Sequence, residues 1–588
     1  MRRAPLFPGL LCLLLAAGCA ESAIRTAKLR CEYRENPLAI DVSAPRLSWI
    51  LNSDQRGERQ TAYQIQAASD PDKLAGNSPD LWDSGKIASA DSIQIPWGGK
   101  TLRSREQCFW KVRVWDKDGR ASAWSQAAQW TMGILSPEEW EGRWIGNGYS
   151  ESSRVSLPLP ILRKEFNLGE KPRRAVIYIC GLGQFELHLN GRRVSEDFLQ
   201  PGWTDYRKTC LYVAYDVTAF LKPGPNAVGV MLGNGMFNVT RGGRYTKFVG
   251  SFGSPELIAQ MFIDYPDGSI QRVVSDQSWK VAASPITYSS IYGGEDYDAR
   301  REQSGWDEPG YDDGQWENAS AINPPDGALV GASRSAPAIR AAQVFDPVKI
   351  TALPNGDWVY DLGQNCSIVP AIAVRGDAGA VVRLSPGELL NADGSVSQRS
   401  SGNGAWDSYT LKGSGGEEQW SPRFNYRGCR YIQVHITGRA EVLDLQGRFV
   451  TSSSPAAGEF SCSNELFNKT ARLIEWAIQS NMVSTLTDCP HRERLGWLEQ
   501  DHLMGPSIMY GHDVAVLLNK IIGDIRDAQH PDGLVPDIAP EYEAFKGGFL
   551  DSPEWGSACV LLPWSLYEWY GDKRALADSY GAMRRYVE

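Results

Sequence analysis

From about residue 28 to residue 134 the chain is a series of short runs in which apolar and polar positions alternate, separated by turn residues. In the run 108–115, Cys108, Trp110, Val112 and Val114 share one face, and Phe109, Lys111, Arg113 and Trp115 share the other. This is the period of a half-buried strand. Similar runs at 45–51, 62–67 and 92–97 predict an immunoglobulin-like or fibronectin-like β-sandwich over 28–134. No constellation in it suggests chemistry.

A second strand-rich block covers 139–322. Phe185, Leu187 and Leu189 alternate with Glu186, His188 and Asn190, and Asn190-Gly191 predicts a tight hairpin, because both central residues of a type I′ turn need positive φ. The block reads as a sandwich or jelly roll. Its glycines at 233 and 235 lack the strand-to-helix setting of a phosphate loop. A Pro, Gly and Ser-rich stretch, 323–337, reads as a linker. In the third β block, 339–450, Ile432, Val434 and Ile436 alternate with Tyr431, Gln433 and His435. Beyond residue 454 the period changes. Over 464–482, Leu466, Thr470, Leu473 and Ala477 fall on one helical face, flanked by Phe467, Ile474 and Ile478. The stretches 508–527 and 556–570 also predict helices, so three β-sandwich domains precede an all-α domain over 459–588.

A length of 588 residues excludes a single core. Sixty Lys plus Arg against seventy Asp plus Glu give a net charge of −10, which offers no footprint for a polyphosphate backbone, so no nucleic-acid partner is expected. The 21 Trp outnumber the 17 Phe, and flat amphipathic rings suit sugar C–H faces as well as sandwich cores. At the start, Arg2 and Arg3 precede an apolar run over 10–15 and the small residues Ala16, Ala17 and Gly18. Residues 1–18 therefore read as an export signal. Because the small residues lead into Cys19, the pattern resembles a bacterial lipoprotein signal in which Cys19 is lipidated. Membrane attachment through that lipid alone is expected, at the outer membrane or in the periplasm. Nine cysteines remain after Cys12 and Cys19, scattered singly with no CxxC pair, which argues for free thiols rather than disulfides or zinc.

Four of the six histidines, and the densest mixture of carboxylates with tryptophans, fall between Asp488 and Trp555. His491, His502 and His512 are spaced as no metal template is, and no G-x-S-x-G marks a serine hydrolase. The run DCPHRERLGW, 488–497, follows the first predicted helix and so lies on a connecting loop, where sites are commonly built. Asp488, Arg492, Glu493 and Trp497 are the residue types needed to hold sugar hydroxyls and protonate a glycosidic oxygen. The same residues also fit bland roles: Asp488 as a cap or loop staple, Arg492 and Glu493 as ion-pair partners, Trp497 and Trp555 as packing.

This run closely resembles the active-site signature of the bacterial α-L-rhamnosidases of glycoside hydrolase family 78. LEQ at 498–500, DSPEWGSA at 551–558, LQPGWTDYRK at 199–208 and PRFNYRGCRYIQV at 422–434 are similar to other parts of that family. The resemblance implies an inverting α-L-rhamnosidase acting on a rhamnose-containing glycoside or polysaccharide, with β-sandwich domains followed by an (α/α)6 barrel. It implies Glu493 as general acid, Asp488 and Arg492 as ligands of rhamnose hydroxyls, Glu499 as a third acidic ligand, and Trp497 and Trp555 as pocket walls, Trp555 against the C6 methyl. Gln500 stands where the family often carries an aspartate. No cofactor is expected, apart from calcium in the second domain by analogy with rhamnose-binding modules, for which no ligand loop of specific spacing is present. A general acid must hold a proton, so at least one of Arg492 and Arg494 is expected to point away from Glu493. Twelve helices need on the order of 200 residues, and 130 follow Gly458. The chain is therefore expected to be a fragment, inactive alone, with the family's catalytic base beyond residue 588. The rival classes are a non-catalytic carbohydrate-binding protein and a glycosidase of other specificity on the same barrel.

Overall fold

A computed structural model describes residues 22–148, 158–400 and 404–588. Cys12, Cys19 and the expected export signal lie outside the described residues. The chain forms two compact units, the first made of Ala44–Leu102, Gln107–Trp130 and the described part of Met1–Asn36. In it Arg25–Cys31, Arg46–Asn52 and Ile95–Pro96 build one sheet, while Trp82–Asp83, Ala62–Ala68 and Gln107–Trp115 pair in another. Cys108, Trp110, Val112 and Val114 are fully buried, as their alternation requires. Lys111 on the opposite face is buried as well, because its ammonium donates to Leu74 O and Asn77 Oδ1 while Trp124 covers it.

The second unit comprises Pro37–Ser43, Arg103–Glu106 and Thr131–Glu588. Two six-stranded sheets form its first sandwich, one around Arg174–Leu182 and Glu256–Asp264, the other around Gln184–Leu189, Gly224–Gly233 and Pro160–Leu168. Leu162, Ile177, Ile179, Val230 and Leu257 fill the space between them. The predicted hairpin is present, with Asn190 at φ 52° and Gly191 at φ 76°. Ile286–Ser290 and Gly294–Asp298 leave this sandwich and join a ten-stranded sheet centred on Trp358–Gly376, where Gly294–Asp298 runs parallel to Asp407–Thr410. That joint brings residues 291–293 beside 424–427, beneath the helical part.

Composition misjudged the stretch 323–337. Ala328–Val330 pairs in parallel with Thr209–Leu211, the Gly331 amide donates to Asp41, and Arg334 reaches Asp527, so this connection is fastened rather than free.

The helices are Glu465–Asn481, Leu498–Leu503, Gly505–Gly511, Ala515–Ala528, Pro553–Gly556, Ala558–Tyr570 and Lys573–Val587. Asn464 caps the first, accepting from the Leu466 amide. The expected period is there, yet Leu466, Phe467 and Leu473 face outward; the helix lies on the ten-stranded sheet through Trp476, packed on Phe345 and Phe449. The helix expected over 508–527 is broken at His512, whose extended backbone bridges to Ala456. Leu517, Leu518, Ile521, Ile525, Leu562 and Leu566 form the helical core.

Among the described residues no helix is long and apolar enough to cross a membrane. The nine described cysteines are free thiols, seven of them buried, Cys489 half-buried and Cys462 exposed. Among the described residues no group of three or more His, Cys, Asp or Glu side chains converges as metal ligands would.

Candidate active site

After Asn481 the chain turns through a short hairpin, Met482–Val483 against Thr485–Leu486, and enters the loop 487–497 as the sequence predicts. Asp488 closes this loop: its amide donates to Leu495 O, and the Leu495 amide donates to Asp488 Oδ1 at 3.2 Å. The Cys489 thiol donates to Asp488 Oδ2 at 2.9 Å, and the Glu493 amide donates to Cys489 Sγ at 3.3 Å. Asp488 is thus a loop staple and a candidate ligand at once. Burial pushes its carboxyl above the usual range, with Glu493 adding to the effect. Burial likewise raises the Cys489 thiol to about 11.

Arg494 carries the loop onto the β domains. Its φ of 57° is a left-handed value that costs a non-glycine residue on the order of 1–3 kcal/mol. The guanidinium is buried and offsets that cost. Its Nε donates to Pro490 O, its Nη1 donates to Ile291 O and to Asn425 Oδ1, and Tyr426 stacks beneath it at 4.4 Å. Arg494 therefore points away from Glu493, as a general acid at that position requires. Gly428 fits under the loop, since a Cβ there would lie 2.7 Å from Pro490 Cγ.

Glu493 sits where three elements meet. The Trp497 indole N–H donates to its Oε2 at 3.1 Å. Arg492 Nη2 lies 3.4 Å from Oε1, and Lys247 Nζ, from a loop of the first sandwich, lies 3.0 Å from the same oxygen. The Tyr292 hydroxyl donates to the Glu493 carbonyl. Arg492 is half exposed at the rim, its carbonyl accepting from Tyr245.

Trp497 stacks on Phe545 with centroids 5.2 Å apart and meets Trp555 edge to face at 6.4 Å, which makes an aromatic corner. Glu499 is held by Gln500, and its carboxyl is raised by burial and then by Asp537 and Asp488. Asp537, only 1% exposed, accepts from the Ser552 amide at 2.9 Å and is raised by burial and by Asp551 and Glu554. Glu499 Oε2, Asp537 Oδ2 and the Trp555 indole N–H are buried with no partner among the described residues. All six helical-domain residues expected at the site thus lie on the motif loop or on segments packed around it. His491, His502 and His512 diverge, toward Glu388, Glu554 O and Glu475.

Sequence reasoning missed Lys247 and Asp537. Lys247 carries no local signal, being brought to Glu493 only by the fold. Asp537 had one: it is an acid inside the apolar run of Val535, Ile538 and Ala539, all buried, and buried carboxylates are rare without a task or a partner.

Family models match along most of the chain: a Rha78A-like N-terminal immunoglobulin domain at 26–136, an α-L-rhamnosidase N-terminal domain at 170–343, a bacterial α-L-rhamnosidase concanavalin-like domain at 351–451 and a bacterial α-L-rhamnosidase 6 hairpin glycosidase domain at 455–588. An α-L-rhamnosidase of Streptomyces avermitilis is 32% identical over 96% of this chain and 71% of its own length. One from Formosa agariphila is 32% identical over 97% of this chain and 64% of its own. The solved α-L-rhamnosidase from Dictyoglumus thermophilum superposes with a TM-score of 0.89 at 36% identity, covering 97% of this chain and 64% of that one. The Streptomyces avermitilis α-L-rhamnosidase solved with L-rhamnose gives 0.89 at 29% identity, covering 96% of this chain and 70% of that one.

Proposed function

The chain belongs to the bacterial α-L-rhamnosidases, and from that premise we propose that it releases terminal non-reducing α-L-rhamnose from glycosides or polysaccharides by inverting hydrolysis. Glu493 donates the proton to the glycosidic oxygen, and a second carboxylate activates water on the opposite face of the ring. Asp488, Glu499 and Asp537 accept from rhamnose hydroxyls, Arg492 donates at the rim, and Trp497 with Trp555 receives the apolar face, Trp555 the C6 methyl.

One observation carries this reading: the unpartnered buried oxygens of Glu499 and Asp537 and the unpartnered Trp555 N–H, close to an aromatic corner and to Glu493. Each such group costs about 1–3 kcal/mol while unsatisfied, and a ring with several hydroxyls and one apolar face supplies what all of them lack. The test is calorimetric titration with L-rhamnose of the protein and of its Asp537→Asn and Trp555→Ala variants. Binding weakened about tenfold or more in both variants supports the assignment; absence of binding by the unsubstituted protein, or equal binding in all three proteins, contradicts it.

The reading includes export with Cys19 as the lipid-bearing N-terminus, supported by Arg2, Arg3, the apolar run and the small residues before Cys19. One acyl chain anchors a protein only marginally, so stable attachment takes the several chains of a bacterial lipoprotein.

A further inference from the structure

Acidic and basic side chains both gather around Glu493. Asp488, Glu499 and Asp537 act electrostatically on one another or on Glu493 from the helical part, whereas Lys247 and Arg492 both meet Glu493 Oε1. Lys247 comes from the first sandwich, on the loop that also supplies Tyr245 to the Arg492 carbonyl and Phe248 to the edge of Phe545, itself stacked on Trp497. This loop is therefore part of the active-site wall rather than of an accessory domain. Both cations keep solvent access, with side chains 34% and 46% exposed.

A group that protonates a glycosidic oxygen must lie beside the leaving group, not beside the far side of the rhamnose ring. Both cations meet Glu493 Oε1 here, but a Glu493 that carries the proton it donates no longer offers them a negative charge, and rhamnose, being neutral, offers none either. From this juxtaposition, and resting on the reading of Glu493 as general acid, we propose that Lys247 and Arg492 form a leaving-group subsite for an anionic sugar, one carrying a carboxylate or a sulfate ester next to the rhamnosyl linkage. The anion takes over Lys247 Nζ. Glu493 Oε1 is then free to face the glycosidic oxygen, so the correct substrate uncovers the acid that cleaves it.

The experiment is a calorimetric comparison of α-L-rhamnosyl-(1→4)-D-glucuronate, the 6-sulfate of α-L-rhamnosyl-(1→4)-D-glucose and the uncharged α-L-rhamnosyl-(1→4)-D-glucose, with free L-rhamnose as reference. Partly exposed ion pairs are worth up to about 1 kcal/mol, which predicts roughly fivefold tighter binding of at least one anionic disaccharide over the neutral one. The tighter of the two names the anion. The preference falls to nearly one in Lys247→Gln, returns in Lys247→Arg, and shrinks with added salt. Equal binding of all three disaccharides while L-rhamnose still binds overturns the subsite and leaves the proposed function standing. An anion preference that survives Lys247→Gln overturns the assignment to Lys247. Absence of binding by L-rhamnose and every disaccharide overturns both.

Discussion

Lys247 Nζ lies 3.0 Å from Glu493 Oε1, joining residues 246 positions apart. The pair links a loop of the first sandwich to the loop of the helical part, and Tyr292 and Arg494 close the same joint from beneath. The acid is thus positioned by β domains that contribute none of the motif around it.

Removing Arg494 should loosen this joint. Arg494→Met leaves the Ile291 carbonyl and the Asn425 amide oxygen without this donor, while the Pro490 carbonyl keeps the Gly428 amide. A loss on the order of 3 kcal/mol is expected, read as a lower denaturation midpoint at unchanged slope. Rhamnose binding should weaken with it. A midpoint equal to wild type would remove Arg494 from the account.

A pH effect follows from Glu295. Burial, with Asp407 nearby, holds its carboxyl up at about 8, against an ordinary 4.5. The folded chain therefore keeps a proton that the unfolded chain releases between those values. Stability is full below about pH 4.5 and falls as pH rises toward 8, by a few kcal/mol at most. Glu295→Gln keeps an oxygen for the Arg423 and Phe424 amides and should flatten this part of the Tm–pH curve. An unchanged slope would contradict the assignment.

Asp537→Asn keeps size and one acceptor while removing the charge that raises the Glu499 carboxyl. Rhamnose affinity should drop about tenfold, with the unfolding midpoint changed little, because Asn Oδ1 still accepts from the Ser552 amide. A large stability loss at unaltered affinity would make Asp537 a structural residue.

Cys19→Ser should abolish incorporation of labelled fatty acid and release the protein from membranes. Absence of label in the wild type would replace lipid attachment with simple secretion.

Much of this architecture is legible in the chain because local signals agree with the fold: the alternation over 108–115, the Asn190-Gly191 turn and the motif loop all stand where their patterns put them. Where tertiary contacts decide, pattern falls short. The apolar stripe of Glu465–Asn481 predicts the helix but not its buried side, which Trp476 chooses by packing on Phe449. The break at His512 escapes the pattern because the bridge to Ala456 that holds His512 extended spans 56 residues. Lys247 was invisible for the same reason: its meaning depends on a partner in another domain.

The central claim, that Glu493 is the general acid, is tested most directly, in an enzyme that includes the catalytic base, by measuring kcat/KM with Glu493 and with the Glu493→Gln substitution on two α-L-rhamnosides. One carries an alkyl leaving group that needs a proton, the other a dinitrophenyl group that departs without one. Glu493→Gln should lose most turnover of the alkyl rhamnoside, about 100-fold or more, and far less of the dinitrophenyl rhamnoside. Equal losses on both would assign Glu493 to binding and contradict the account.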